Sequence, residues 1–493
     1  MHILTSPILI TLLAVATVLW LSSRYGRKWG SGNTNLSNYF YMNRELRAKS
    51  LGATFVAADM SVATVVLALA VVGYVYGFMA AVWITICWLV GIISFILCIK
   101  NSYFLDHIKK GHTLHEIIGS CYDANTNRSL VRLSASFVTI VAFFMTVGIE
   151  FFAGFVIFMK LPGAPAPFVS AIIIALIVIT YTVAAGYRGT TRLNVWRLAL
   201  IIFSLLALGA IGLHYQIHHL PGTWHIILHA FNWDPVWMIA IAITFVPAQI
   251  AAMDMWQRSA ATGGDFKKIR SGLLYSLPVY LVWLVPPYLG ALGRLMGTRD
   301  ATLNYIVLDV IQTIVQPLGY WWSYLFQPLV YAGLVAIIGC TADTLLNAMT
   351  YTFIYDVYPA VRNINPDDLS AETQKELVTV SKMWTALLGI GSLSIVIVGL
   401  VWASIYDLVA ALFSIQILLF WPIFIAWIGR KKDLSGQSAL AAWGLIGGMA
   451  SAFVVLIIAI CLNNRTVMSF APLAATACAG ICFIVLFVRA PRK

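Results

Sequence analysis

Long apolar runs, separated by short polar, charged or glycine- and proline-rich breaks, follow one another along almost the whole chain. An apolar run of about 18 residues is long enough to cross the roughly 30 Å hydrocarbon core of a bilayer as a helix. The pattern therefore predicts an all-α polytopic membrane protein with about thirteen transmembrane helices. We expect these helices at residues 3–22, 50–72, 76–100, 132–158, 166–185, 192–213, 235–257, 271–296, 320–352, 381–403, 406–428, 438–462 and 467–489.

Lysine and arginine are distributed unequally between alternate loops of this arrangement. The loops on one side hold roughly six times as many of these cations as the loops on the other. Basic residues near the ends of spans resist translocation, so the richer side is expected to be cytoplasmic. No basic segment precedes the first run, and we interpret that run as a retained helix. The N-terminus is then outside and the C-terminus cytoplasmic.

Composition supports the membrane assignment and argues against two other classes of protein. The chain is 61% hydrophobic and only 10% charged, whereas soluble domains are roughly 25% charged. The formal net charge of +12 comes from cations in short loops, without the basic helix or aromatic motif of a nucleic-acid-binding protein. The seven cysteines lack paired spacing, so they predict neither a disulfide framework nor a zinc site.

The second span contains a polar interruption. Residues 57–61 read Ala-Ala-Asp-Met-Ser, which places Asp59 and Ser61 near mid-membrane. A carboxylate at this depth costs at least about 2.5 kcal/mol unless it has a partner or a function. Broken helices expose carbonyls that coordinate cations and N–H groups that hold anionic solutes. We expect a broken helix here, and the alternative is a continuous helix whose aspartate pairs with a neighbour.

A second interruption is expected in the seventh span, where Pro247 removes a helical hydrogen bond near mid-membrane. The two interruptions lie near the centres of the first helices of two five-helix blocks, a pattern typical of inverted-repeat transporters. The sequence thus divides into an N-terminal extra helix with a basic inner loop, a first repeat, a second repeat and two C-terminal accessory helices. These four parts are residues 1–49, 50–213, 235–428 and 438–493.

Other polar groups inside the spans are also candidates for chemistry. Asp343 and Thr341 lie within one turn of the ninth span, and oxygen ligands suit a hard cation such as sodium. Glu150, in the fourth span, is either a proton-coupling group or part of an interhelical pair. Arg197 lies about one turn inside the sixth span, and we expect its side chain to snorkel to the inner surface. The alternative for Arg197 is a pair with an acid such as Asp343.

Several short motifs resemble the sodium/solute symporter family, and its proline-permease-like branch most of all. Residues 57–61 resemble the family's first core helix, and residues 185–189 (Ala-Gly-Tyr-Arg-Gly) resemble its entry into the fifth. Gln257-Arg258 resembles the end of its sixth. Residues 340–346 (Cys-Thr-Ala-Asp-Thr-Leu-Leu) resemble its Ser-Thr-Ala-Asp-Ser-Leu-Leu stretch, followed by an Asp-Ile-Tyr-like ending at 356–358. The order and spacing of the motifs agree along nearly the whole chain.

The resemblance implies a LeuT-type core of five plus five inverted-repeat helices, with a cation between the first and eighth core helices. Carried over by position, the cation ligands would be carbonyls of Ala57, Met60 and Ile337 and side chains of Cys340 and Thr341. The solute-facing residues would be Ser61, Phe245, Gln249 and Met253. The implied metal ion is sodium, held chiefly at Ala57, Met60 and Thr341.

Several positions depart from the family pattern, among them 340, 194, 193 and 197. Cys340 stands where the family has serine, and a neutral thiol is a poor sodium ligand. Asn194 stands where the family usually has aspartate, so a second sodium site is not expected. These departures weaken the sodium assignment and leave the coupling ion open.

From the residues and the resemblance together, we expect a secondary active transporter and not an enzyme. Its solute would be a small organic molecule of the amino acid or carboxylate class, its coupling ion sodium, and no other cofactor is expected. One alternative is proton coupling through Asp59, Asp343 or Glu150, and another is a transport-deficient solute sensor. The expected location is the bacterial inner (plasma) membrane.

Overall fold

The computed structural model describes residues 6–30, 35–123, 129–161, 166–229, 235–298, 303–362, 370–401, 405–429, 433–462, 467 and 470–491. These residues form helices and connecting turns, and no strand occurs among them. Eleven helices and one bent helix pair are long and apolar enough to cross a membrane. The chain is an integral membrane protein, which confirms the predicted all-α polytopic class.

One of the eleven helices corresponds to two of the predicted spans. Pro167–His219 runs for 53 residues, about 80 Å at the rise of an α-helix, which is more than twice the thickness of the hydrocarbon core. Its backbone is non-helical at Gly186, where φ is 55° and ψ is −169°. Glycine adopts this positive φ without a Cβ clash. Division at Gly186 gives thirteen spans within the described residues.

The thirteen spans are numbered α1 to α13 in chain order. They are α1 Pro7–Gly30, α2 Ala48–Asp59 with Val62–Val75, α3 Phe78–Ile99, α4 Leu130–Met159, α5 167–185, α6 187–219, α7 Pro235–Ala251 with Met253–Ala261, α8 Phe266–Leu295, α9 Gln327–Thr352, α10 Ala371–Leu400, α11 Ile405–Ile428, α12 Ser438–Cys461 and α13 Ala471–Arg489. Short helices lie between them at Leu36–Tyr41, Ser102–Lys110, Leu114–Tyr122, Trp224–His229 and Ile306–Ile314.

The centre of the bundle is α9, which packs against α1, α4, α5 and α6 and is buried along almost its whole length. The second half of α2 packs closely against α8. A Cβ on Gly290 would lie 1.9 Å from the Ala70 carbonyl oxygen, and one on Gly73 would lie 2.1 Å from the Pro287 carbonyl oxygen. Small residues permit such backbone contact between membrane helices. The reciprocal glycines therefore fix the position of α2 against α8.

Both α2 and α7 are interrupted near their middles. In α2 the helix stops after Asp59, Met60 has φ −73° and ψ 88°, and the two halves are bent by 61°. In α7 the interruption lies at Ala252, with φ −80° and ψ 110°. Pro247, where we expected this break, lies within the continuous helix Pro235–Ala251. A proline removes only one helical bond and is tolerated in membrane helices, whereas irregular backbone is tolerated only where it is buried or borders a cavity.

Candidate functional site

The two interruptions border one cavity of about 170 Å³. Asp59 and Ser61 line it from α2, and Ala252 and Asp254 line it from α7. The cavity extends from there toward the end of the bundle at which α7, α11 and α13 begin, where Trp237, Tyr406 and Pro472 border it. The cavity thus joins the middle of the bundle to one of its ends.

The break in α2 meets α9 through the side chain of Thr341. Its hydroxyl group donates to the carbonyl oxygens of Ala58, at 3.1 Å, and Met60, at 3.0 Å. Among the residues implied as cation ligands, Thr341 and Met60 are therefore in direct contact. Ala57 lies one residue before the contacted carbonyl, in the last turn of its half-helix. Three oxygen atoms converge at this point, the ligand type that sodium prefers.

The other two implied ligands lie on α9 and are fully buried. Ile337 is one turn before Thr341, on the same face of α9. Cys340 lies beside the guanidinium group of Arg197. The structure therefore places the Cys340 thiol beside a fixed positive charge.

Glu150 of α4 occupies the start of the second half of α2. Its carboxylate accepts a hydrogen bond from the Ser61 hydroxyl and the backbone N–H groups of Val62, at 3.2 Å, and Ala63, at 3.3 Å. The Ser61 hydroxyl also accepts from the N–H of Thr64 at 2.8 Å. The first N–H groups of a helix lack intrahelical partners and carry partial positive charge. A carboxylate of the protein itself satisfies them here.

Asp59 faces the cavity from the end of the first half of α2. Its Oδ2 accepts hydrogen bonds from the Tyr280 hydroxyl, at 2.5 Å, and the Trp88 indole N–H, at 3.2 Å. Both donors are neutral and both use the same oxygen. Within the described residues, Oδ1 accepts no hydrogen bond, and the residue is partly exposed to the cavity. Asp59 thus offers one open carboxylate oxygen.

Asp254 presents a second carboxylate to the same cavity from α7, two residues after the break. It pairs with Arg258, one helical turn later, at 3.2 Å. Both side chains are largely buried, with exposed fractions of 10% and 2%. The two breaks therefore each carry an aspartate, but only the one in α7 has an arginine partner. No motif in the sequence marks Asp254, which follows the α7 interruption, whereas Asp59 precedes the one in α2.

Aromatic rings form the wall of the cavity beside Asp59. The Trp88 ring lies 5.2 Å from Trp283 and 5.9 Å from Phe245, measured between ring centroids, and Phe245 lies 4.8 Å from Phe413. Phe245 was expected to face the solute and lines the cavity. The other three rings come from α3, α8 and α11, and no motif in the sequence marks them.

Of the remaining solute-facing residues implied by the resemblance, Ser61 and Gln249 line the cavity and Met253 does not. Met253 is completely buried just after the α7 break. Gln249 forms no hydrogen bond within the described part of the chain. A second glutamine, Gln416 of α11, also lines the cavity. The two carboxamides leave neutral donors and acceptors available to a solute.

Asp343 is separated from this cavity and pairs with Arg197. The two side chains are 1% exposed or less, and the guanidinium Nη1 lies 2.8 Å from Oδ2 of Asp343. Tyr181 and Asn194 also donate to this carboxylate, at 3.1 and 3.3 Å. Our expectation that Arg197 snorkels to the surface is wrong. A guanidinium group in a dry interior is stabilised more by a buried carboxylate than by a long reach to the surface.

The cavity extends toward the end of the bundle where α7, α11 and α13 begin, and the opposite end is closed by hydrogen bonds. Tyr41 donates to the carbonyl oxygen of Gly111 at 2.5 Å and is hydrogen-bonded to Tyr351 of α9. Gln257, from the Gln-Arg motif at the end of α7, donates to the Phe40 carbonyl oxygen at 3.1 Å. These contacts join the segment before α2 to α7, α9 and the segment after α3.

Asp356, from the motif at the end of α9, belongs to the same closed end. Its carboxylate accepts from Thr113 at 2.6 Å and contacts His115 and Arg132 at 2.9 Å each. All four side chains are buried. The Asp-Ile-Tyr-like motif at 356–358 thus connects the end of α9 to α4 and to the short helix Leu114–Tyr122.

Comparison with solved structures identifies the architecture. The match to a Na⁺-coupled sialic acid symporter, solved in a substrate-bound outward-open state, covers 98% of this chain and 99% of that one. The TM-score is 0.74 and the sequence identity is 16%. The fold is that of a LeuT-type transporter. Mhp1, a nucleobase-cation-symport-1 family transporter in a closed conformation with bromovinylhydantoin bound, matches over 92% of this chain and 94% of that one, with a TM-score of 0.51 and 14% identity. No family model and no curated protein matches the sequence.

Proposed function

We propose that this protein is a secondary active transporter that carries a small organic solute by alternating access, coupled to sodium. One observation carries the proposal: Thr341 of α9 meets the carbonyls of Ala58 and Met60 at the broken α2, directly beside the cavity. Interrupted helices at the interface of two repeats are where transporters of this architecture bind solutes and coupling ions. The proposed function thus uses a place where irregular backbone, oxygen ligands and a cavity meet.

Access from one side at a time is supported by the two ends of the bundle. The cavity extends toward the end where α7, α11 and α13 begin, while Tyr41 and Gln257 tie the other end together. With the N-terminus outside, as the distribution of basic loops predicts, this is an outward-facing arrangement. Rocking of the repeats would break the hydrogen bonds of the closed end and release the solute inside.

Sodium is the proposed coupling ion because neutral oxygens converge at the break. A sodium ion there would be coordinated by the two carbonyl oxygens that now accept hydrogen bonds from Thr341. The hydroxyl oxygen of Thr341, still protonated, would become a third ligand. Inward movement of one positive charge is favoured by about 2.3 kcal/mol per 100 mV of membrane potential. Binding of the ion stabilises the state in which α2 and α9 are held together.

Proton coupling is the second candidate, and Glu150 is the observation that favours it. This carboxylate is completely buried and is held only by neutral groups at the start of the second half of α2. Protonation would remove its charge from the helix terminus and weaken the contact between α4 and α2. The two candidates use different residues, so they can be separated by mutation.

The test is uptake into proteoliposomes under a sodium gradient or a proton gradient, with Thr341→Ala and Glu150→Gln beside the parent protein. Sodium-driven uptake that needs more sodium in Thr341→Ala and keeps its sodium dependence in Glu150→Gln supports the proposal. Proton-driven uptake that is insensitive to sodium and lost in Glu150→Gln favours the second candidate. Solute binding without uptake under either gradient would contradict transport and favour a sensor.

A further inference from the structure

The charges around the cavity bear on the class of solute that it accepts. The described residues that line it include the carboxylates of Asp59 and Asp254 but no lysine, arginine or histidine. Arg258 pairs with Asp254 from outside the lining. The carboxylate of Asp59 receives hydrogen bonds only from neutral donors, so its negative charge is not balanced by any cationic side chain in contact with it.

The position that would hold an anionic solute is already occupied. In a broken membrane helix the N–H groups at the start of the second half form the natural site for a solute carboxylate. Here the N–H groups of Val62 and Ala63 are bonded to Glu150. A solute carboxylate would have to displace a fully buried carboxylate of the protein and would then lie close to Asp59.

The cavity wall has the chemistry of a cation site. The indole of Trp88 bonds Asp59 through its N–H, so that the ring and the carboxylate are held in one unit. Trp283, Phe245 and Phe413 extend this aromatic surface. The negative face of such rings attracts ammonium groups, by about 2 kcal/mol or more where water is excluded. Carboxylate and rings together would hold a positive charge and its alkyl substituents.

We propose that the solute is a small organic cation, an amine or quaternary ammonium compound that carries no carboxylate. Its ammonium group binds at Oδ1 of Asp59 against the rings of Trp88, Trp283, Phe245 and Phe413. This inference rests on the proposed function for its transport role and differs from the amino acid or carboxylate class that the resemblance implies. Asp59 is then the residue that selects the charge of the solute.

The experiment compares four probes of nearly the same shape with the purified full-length protein. Choline is the cation, and its carbon isostere, with a tert-butyl group in place of trimethylammonium, is neutral. Glycine betaine is the zwitterion, and its carbon isostere is the anion. Binding is measured by isothermal titration in detergent, and ethanolamine is added as a primary ammonium probe.

We expect choline or ethanolamine to bind roughly tenfold or more tightly than the neutral isostere and the two carboxylate-bearing probes. Asp59→Asn should abolish that preference, and Asp59→Glu should restore part of it. Asp106→Asn is the matched control, because Asp106 is an exposed carboxylate that pairs with Lys109 on a surface helix. It should bind the cation like the parent protein.

Several results would overturn the inference: no binding by either cation, tighter binding of a neutral or carboxylate-bearing probe, or an unchanged preference in Asp59→Asn. The melting temperature of each variant shows whether it is folded. Uptake of the same probes into proteoliposomes separates this inference from the proposed function. Asp59-dependent cation binding without uptake would reject transport alone, whereas uptake of a carboxylate but not of a cation would reject the cation class alone.

Discussion

Asp59 and Asp343 are two carboxylates deep in the same bundle whose surroundings differ in one decisive way. Asp59 faces the cavity and is held by the neutral donors Trp88 and Tyr280. Asp343 is completely buried and receives the guanidinium group of Arg197 together with three neutral donors, Tyr181, Asn194 and Thr344. An arginine contacts one carboxylate, whereas only neutral donors contact the other.

The comparison shows that depth in the membrane does not by itself define a transport residue. A buried charge needs a counterion, which is either a side chain of the protein or a bound ligand. At Asp343 the chain supplies Arg197, so this carboxylate is expected to act in stability. Asp59 contacts only neutral donors, so this carboxylate is expected to act in binding. The two roles can be separated by mutation.

The largest effect is expected from Arg197→Gln. This substitution leaves Asp343 buried without its counterion, and breaking a buried pair from one side costs about 3–5 kcal/mol. The melting temperature of the detergent-solubilised protein should therefore fall strongly. The double variant Arg197→Gln with Asp343→Asn should recover much of the loss, because it removes both charges. A single variant as stable as the parent would contradict a structural role for the pair.

A smaller effect is expected from Thr341→Ala, and it should fall on ion binding. Loss of one oxygen ligand costs about 1.5–3 kcal/mol in interactions with a charged group, which corresponds to roughly tenfold or more in affinity. The sodium concentration for half-maximal uptake should rise accordingly. Thr341→Ser, which keeps the hydroxyl, is the control and should resemble the parent. Equal sodium dependence in all three proteins would remove the proposed ion from this site.

Asp59→Asn should change stability by only about 1 kcal/mol or less, because the amide oxygen can still accept from Trp88 and Tyr280. Its effect should instead appear as lost solute binding. Thermal denaturation and ligand titration on the same preparation check both parts. A loss of stability as large as that of Arg197→Gln would show that the two aspartates have the same role.

The smallest effect is expected from Cys340→Ser. A hydroxyl is a harder ligand than a neutral thiol, so the substitution should lower the half-saturating sodium concentration severalfold. The measurement is the sodium dependence of uptake at fixed membrane potential. A decrease would show that the thiol borders the ion site, and no change would indicate that Cys340 contacts only the Arg197 side of α9.

Much of the architecture follows from local sequence. The hydrophobic pattern predicted thirteen spans, and Gly186 lies where the pattern separates the fifth from the sixth. The break at Asp59-Met60 was also expected, since a polar run at mid-membrane is typical of backbone that opens onto a cavity. The break in α7 was placed at Pro247 and lies at Ala252, because a missing N–H marks a weak point without deciding where a helix opens.

The sequence by itself therefore determined the class of protein, the number of membrane spans and the residues too polar to face lipid. Tertiary structure alone decided the partners that lie on other helices: Arg197 for Asp343, and Glu150 for the start of the second half of α2. The physical reason is that insertion into a bilayer depends on the composition of each segment, whereas the role of a buried charge depends on its counterion. The counterion of Asp343 lies on another helix, and its distance along the chain carries no signal.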